Sequence, residues 1–123
     1  MFYFSDMAKH LETGKKGEDL AICWLENHGF QILHRNWKYS YFELDVIAEK
    51  EGVLHFVEVK TRTTDTYGYP EESVIPRKLE RLMNAGEAYL EQASEWKRIQ
   101  YDILSIQLFP GQEPVYFFLE DIS

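Results

Sequence analysis

Cysteine is nearly absent from these 123 residues: Cys23 stands alone, so an internal disulfide is excluded and nothing points to an oxidising compartment. No apolar run approaches the ~20 residues that a membrane-spanning helix needs. The opening MFYF has no basic flank, no long apolar stretch and no cleavage site, so no secretory signal is expected and the chain reads as cytoplasmic, with no membrane partner. Glycine-rich phosphate loops and serine–histidine nucleophile motifs are missing. The four histidines fall at no usual ligand spacing, and structural or surface roles are expected for them rather than a zinc centre. Basic side chains are scarce too, with 13 Lys and Arg against 21 Asp and Glu and a net charge of −8. That balance predicts weak non-specific affinity for nucleic acid. It is unevenly spread: residues 1–34 carry −2, residues 35–81 carry −1 and residues 82–123 carry −5.

What the chain does have is 45% hydrophobic and 15% aromatic residues, enough for one compact domain spanning 1–123. The first helix is expected from Thr13 to His28, with Thr13 as N-cap and Gly29 as the C-terminal stop. Ala21, Trp24 and Leu25 form its inner stripe, and Glu18 lies at the edge of that stripe. Three strands follow, FQILHR, YFELDVIA and VLHFVEVK. The last two flank EKEG and read as an antiparallel hairpin. A second helix begins at Pro76, with Leu79, Leu82, Met83, Gly86 and Leu90 inward, and RIQYDILSIQL and VYFFLE close the chain as two more strands. The order predicts an α/β or α+β domain with a sheet flanked by helices.

The third strand places Glu58 and Lys60 where a half-buried strand should be apolar. A four-residue turn over Glu49–Gly52 sets Asp45 opposite Phe56, with Glu58 as its diagonal neighbour. Asp45, Glu58 and Lys60 then share one face, with Glu43 on the same side; a slip of one residue would separate them. Two carboxylates from adjacent strands and a lysine suit a hard divalent cation, Mg²⁺ or Mn²⁺, that keeps waters and accepts phosphate oxygens. In such a site Asp45 and Glu58 hold metal and Lys60 serves the nucleophile. Glu18 could complete the shell or hold a second ion. The bland reading is a cross-strand ion pair worth ~0–1 kcal/mol.

The chain resembles the PD-(D/E)xK nuclease superfamily, and more closely the small bacterial family called YraN or UPF0102. The resemblance is carried by GKKGEDLA, HRNW, ELDVIA, FVEVKTR, YGYPEESV, Lys78 and YDIL, in that order. It implies a restriction-endonuclease-like core of α-β-β-β-α-β order with a mixed central sheet. It implies a metal-dependent endonuclease hydrolysing nucleic-acid phosphodiester bonds, with DNA as the expected partner and, by similarity to small resolvases, branched DNA. The active-site residues it implies are Glu18, Asp45, Glu58 and Lys60. One departure is Phe42, where the family usually has glycine.

Arg62 and Lys78 are candidate phosphate contacts, with Arg81 ranked behind them; the bland reading of all three is a solvated surface charge. Tyr67 and Tyr69 are candidate substrate contacts in the loop after the third strand. Trp37, Tyr39 and Tyr41 alternate onto one face, expected to pack on the second helix or a partner chain rather than to stack on bases. A homodimer would present two sites to two strands, with MFYF contributing to its interface. The alternative to an endonuclease is a non-catalytic nucleic-acid-binding module on the same fold; a metal-free protein-interaction domain is a further rival.

Overall fold

The computed structural model describes the backbone of residues 2–63 and 76–123, and the side chains of residues 14–63 and 77–123. Its elements run α1 (Phe2–Asn27), β1 (Gln31–Tyr39), β2 (Phe42–Lys50), β3 (Val53–Arg62), α2 (Pro76–Gln92), β4 (Ile99–Gln107) and β5 (Val115–Leu119). The five strands form one mixed sheet in chain order, with β1, β2 and β3 antiparallel, β3 and β4 parallel across α2, and β4 and β5 antiparallel. This is the expected α+β order with a mixed central sheet.

The first helix starts earlier than its sequence suggests. Residues 2–13 contain neither glycine nor proline, so nothing interrupts the helix before Thr13, and that residue is interior rather than an N-cap. The side chains of MFYF, expected at a dimer interface, lie outside the described residues. At its other end α1 stops as expected. Gly29 has φ +89°, Phe30 N–H donates to Leu25 O at 3.0 Å and Gly29 N–H donates to Glu26 O at 3.2 Å. These are the two bonds of a Schellman cap, and Phe30 packs in the same core as Leu25.

Two cores lie on opposite faces of the sheet. On one, Ala21, Leu25 and Phe30 bury against Val46, Ala48, Val57, Leu104 and Ile106. On the other, Leu82, Ala85, Tyr89 and Ala93 of α2 bury against Ile47, Leu54, Phe56 and Tyr101. The inner face of α2 is therefore turned from the expected one: Leu79, Met83 and Leu90 are half-buried, and small residues let Tyr89 and Tyr101 fill the interface. Gly86 is inward as expected, because a Cβ there would come within 2.5 Å of the Tyr101 hydroxyl.

The β2–β3 turn is tighter than the four-residue loop expected. Lys50 pairs with Val53, and only Glu51 and Gly52 turn, at φ 52° and 81°. Two positive φ angles define a type I′ turn, whose twist matches the strands it joins. Glu49 and Lys50 thereby join the ladder, and its register moves by two positions. A two-residue move preserves the face of every side chain. Asp45 faces the level of Glu58 instead of Phe56, still on the α2 side.

Gly17 is what lets α1 meet the far end of β3. A Cβ at position 17 would lie 2.0 Å from Thr61 Oγ1 and 3.1 Å from Thr61 Cβ. In a helix interior Gly→Ala ordinarily gains ~0.5–1 kcal/mol, whereas overpacking costs ~1–3 kcal/mol. Gly17→Ala is expected to destabilise the protein by about 1 kcal/mol net in urea unfolding. Adding Thr61→Ala should return most of that loss, a coupling that a double-mutant cycle reads directly.

Candidate active site

The pleats of β1 and β2 both reverse at one rung, apart from a register shift in β1 between Ile32 and His34. Arg35 reaches α1, where its Nη2 lies 2.7 Å from Asp19 Oδ1, whereas Trp37 packs on the α2-side core. Residues two apart in a regular strand would share a face. Asn36 between them has φ +51°, a left-handed geometry that asparagine tolerates better than most residues. Opposite, Val46 faces α1 and Leu44 faces α2, so the same reversal occurs around Asp45. The paired neighbours Arg35↔Val46 and Trp37↔Leu44 set Asn36 and Asp45 on the same rung.

Asp45 also stands where β2 leaves β3. The ladder between those strands ends at Val46↔Val57. Beyond it the Asp45 carboxylate substitutes for a strand carbonyl, accepting the Val59 N–H at 2.8 Å through Oδ2. Oδ1 has no hydrogen-bond partner among the described residues. Burial pushes the Asp45 carboxyl above its usual range; the Val59 N–H opposes this, Glu58 and then Glu18 raise it further, and Lys60 lowers it.

A cleft of about 460 Å³ opens at this point between the sheet and α2. Asp45, Glu58 and Lys60 line it together, as their shared face predicts, and Glu43 joins them. Lys60 Nζ lies 3.5 Å from Glu58 Oε1, with both side chains about a quarter exposed. The other wall is the first turns of α2, which contribute Lys78 and Arg81. A hydrogen bond with Lys60 is the chief cause holding the Lys78 amine below its usual range, followed by burial and by repulsion from the Lys60 charge. Three acids and three bases thus line the cleft, Lys60 beside the acids on the sheet and Lys78 and Arg81 opposite on α2. Phe42 forms part of its wall.

Glu18 does not line the cleft. Its Oε2 accepts a hydrogen bond from Asn36 Nδ2 at 3.2 Å and lies 4.0 Å from Arg35 Nη2, while its charge still acts on Asp45. Among the described residues no three His, Cys, Asp or Glu side chains converge into a closed metal-binding cluster. The donor set nevertheless fits a hard divalent ion. Asp45 offers a free oxygen beside Glu58, and Mg²⁺ takes one or two protein carboxylates while keeping several waters. After burial, the charges of Glu58 and Glu18 add to the proton affinity of Asp45, a tension that a cation there would relieve.

Arg62 ends β3, paired with Gln107, and its carbonyl accepts the Leu108 N–H at 2.7 Å. Tyr67 and Tyr69 lie outside the described residues. His55 takes a structural role, buried with its Nδ1 2.6 Å from Asp102 Oδ2. Sequence reasoning ranked Arg81 too low and missed Asn36 on Glu18. Spacing from Lys78 could have revealed Arg81; the left-handed turn at Asn36 leaves no periodic signal. The aromatic row divides: Trp37 packs edge-on to Tyr89 as expected, at 5.4 Å and 87°, but Tyr39 and Tyr41 are exposed rather than packed.

Fold and cleft together define an α+β protein of restriction-endonuclease-like order, with an acid–lysine site at the opening of its sheet. The profile of the family described as "Uncharacterised protein family UPF0102" matches residues 17–106, and the chain belongs to that family. It is 43% identical over 100 residues to a UPF0102 protein of Bacteroides thetaiotaomicron, covering 81% of this chain and 83% of that one. A UPF0102 protein of Dictyoglomus turgidum is 44% identical over 103 residues, covering 83% and 87%. One from Mycolicibacterium gilvum is 38% identical over 114 residues, covering 90% and 93%. No helix among the described residues is long and apolar enough to cross a membrane.

A raised carboxyl pKa links folding to pH with a definite sign. Protonation of Asp45 favours the folded state, in full below the ordinary value of 3.8, and this contribution is lost as pH rises through the raised folded-state value. At neutral pH the ionised carboxylate therefore costs stability. Asp45→Asn keeps an acceptor for Val59 and is expected to raise the melting temperature at pH 7 in chelator. The increment should shrink with acidification and vanish below about pH 3.8; thermal melts at a series of pH values measure it.

Proposed function

We propose that this protein is a divalent-metal-dependent nuclease that hydrolyses phosphodiester bonds in DNA. The observation that carries this reading is the convergence of Asp45, Glu58 and Lys60 in one cleft, faced by Lys78 and Arg81. Carboxylates gathered beside lysines on an exposed cleft are a poor way to stabilise a sheet, since partly exposed pairs contribute ~0–1 kcal/mol. They are a good way to hold a cation against a phosphate.

Asp45 and Glu58 would hold Mg²⁺ or Mn²⁺. A divalent ion bound there supplies positive charge at the phosphoryl oxygens and lowers the pKa of water. Lys60, already within reach of Glu58, orients the attacking water and offsets charge developing at phosphorus. Lys78 and Arg81 on α2 grip the phosphate from the opposite wall. The Val59 N–H fixes the Asp45 carboxylate, so that one oxygen is committed to the backbone and the other remains for the site. Asn36 and Arg35 hold Glu18 beside this pair, where its charge adds to the negative potential at Asp45.

The test is cleavage of labelled single-stranded, duplex, flap and four-way-junction DNA with Mg²⁺, Mn²⁺ or chelator. Metal-dependent product is expected, reduced at least about a hundredfold in Asp45→Asn and in Lys60→Ala. Binding without product from any substrate, unchanged in both variants, would point instead to a non-catalytic nucleic-acid-binding module.

A further inference from the structure

Tyr41 occupies a position where its side chain does nothing for the fold. Tyr39 pairs with Phe42, so Ser40 and Tyr41 alone make the β1–β2 turn, with Ser40 at φ +56°. Two-residue hairpin turns favour glycine, asparagine and aspartate for their tolerance of such angles. Only Ser40 of the pair takes such an angle, so the turn's backbone does not select tyrosine at position 41, and its ring is not buried either: Tyr41 is 98% exposed, far more than Tyr39 at 54% or any other exposed large hydrophobic residue among those described. Yet the residue is not remote from the chemistry. It stands at the rim of the cleft that holds Asp45, Glu58 and Lys60.

The turn that carries it is braced. Trp37 is anchored edge-on against Tyr89, and Tyr39 stacks on Trp37 with centroids 6.2 Å apart and planes 24° from parallel. Tyr41 therefore extends from a hairpin fastened to the α2-side core. Across the cleft, Lys60, Lys78 and Arg81 offer sites for phosphate oxygens. Because Glu43, Asp45 and Glu58 balance those cations, backbone electrostatics give little net affinity. A volume of about 460 Å³ lies in the range of pockets that enclose a single small molecule. An uncharged contact adds affinity that this charge balance does not cancel, and an exposed aromatic ring at the rim supplies one to any base free to leave its stack.

We infer that Tyr41 is a stacking platform for an unpaired nucleobase whose phosphate lies in the cleft, so that the protein acts on DNA with an unpaired nucleotide and not on continuous duplex. This rests on the cleft being a nucleic-acid site, and it adds the substrate class. The exposure of Tyr41 makes its removal harmless to folding, so the test is clean. The probe is a two-stranded DNA duplex with a single-stranded overhang bearing 2-aminopurine, titrated in Ca²⁺ beside a blunt two-stranded duplex. Wild type and Tyr41→Phe are expected to quench the overhang base equally. Tyr41→Ala should lose the quenching and bind the overhang roughly tenfold more weakly, with an unchanged melting temperature and unchanged affinity for the blunt duplex. Equal overhang affinity and quenching in Tyr41→Ala would overturn the inference. Absence of cleavage on every substrate with the stacking signal intact would instead overturn the nuclease reading and support this one. Metal-dependent cleavage that ignores both the overhang and Tyr41→Ala would do the reverse.

Discussion

The hydrogen bond from Val59 N–H to the Asp45 carboxylate governs the geometry of the site. It lies where two strands that have been paired from Lys50↔Val53 to Val46↔Val57 cease to be paired, and it substitutes a side chain for the missing backbone partner. An unsatisfied buried amide costs ~1–3 kcal/mol, so the carboxylate allows the strands to part without leaving Val59 exposed to that penalty. The same rung carries the left-handed Asn36, and both β1 and β2 reverse their faces across it. A cleft at the sheet's opening, with an acid fixed at its apex, follows from that one substitution.

The two helices then furnish the site from opposite sides. Gly17 lets α1 close on Thr61, which brings Glu18 beside the rung where Asn36 and Arg35 hold it. Gly86 lets α2 close on Tyr101, which fixes the helix so that Lys78 and Arg81 overhang the cleft. In both places the absence of a side chain sets the distance. The chain's net charge of −8 has little to do with the local balance, because three acids and three bases line the cleft. Affinity for a polyanion is therefore a matter of these few cations and of whatever ion the acids hold.

Much of this was legible in the sequence, for reasons that differ by residue. The common face of Asp45, Glu58 and Lys60 follows from strand parity, which survives a register error of two. The register itself was misjudged because a glutamate at φ 52° shortened the turn, and propensity favours glycine or asparagine there. Gly29 announced its cap correctly, whereas Thr13 suggested a start that the helix passes through. Pattern could not show that Asn36 would bond Glu18, or that Tyr41 would stand free while Trp37 packed. Those are consequences of how α1, α2 and the β1–β2 turn dock, and no local signal encodes them.

The most direct test is whether Asp45 and Glu58 bind a divalent ion together. Mn²⁺ titration followed by electron paramagnetic resonance would compare the wild type with Asp45→Asn/Glu58→Gln, both confirmed folded by thermal melting. Saturable binding by the wild type, weakened at least about tenfold in the double variant, is the expected result. Equal binding by both proteins, or none by the wild type, would contradict a metal site at the parting of β2 and β3.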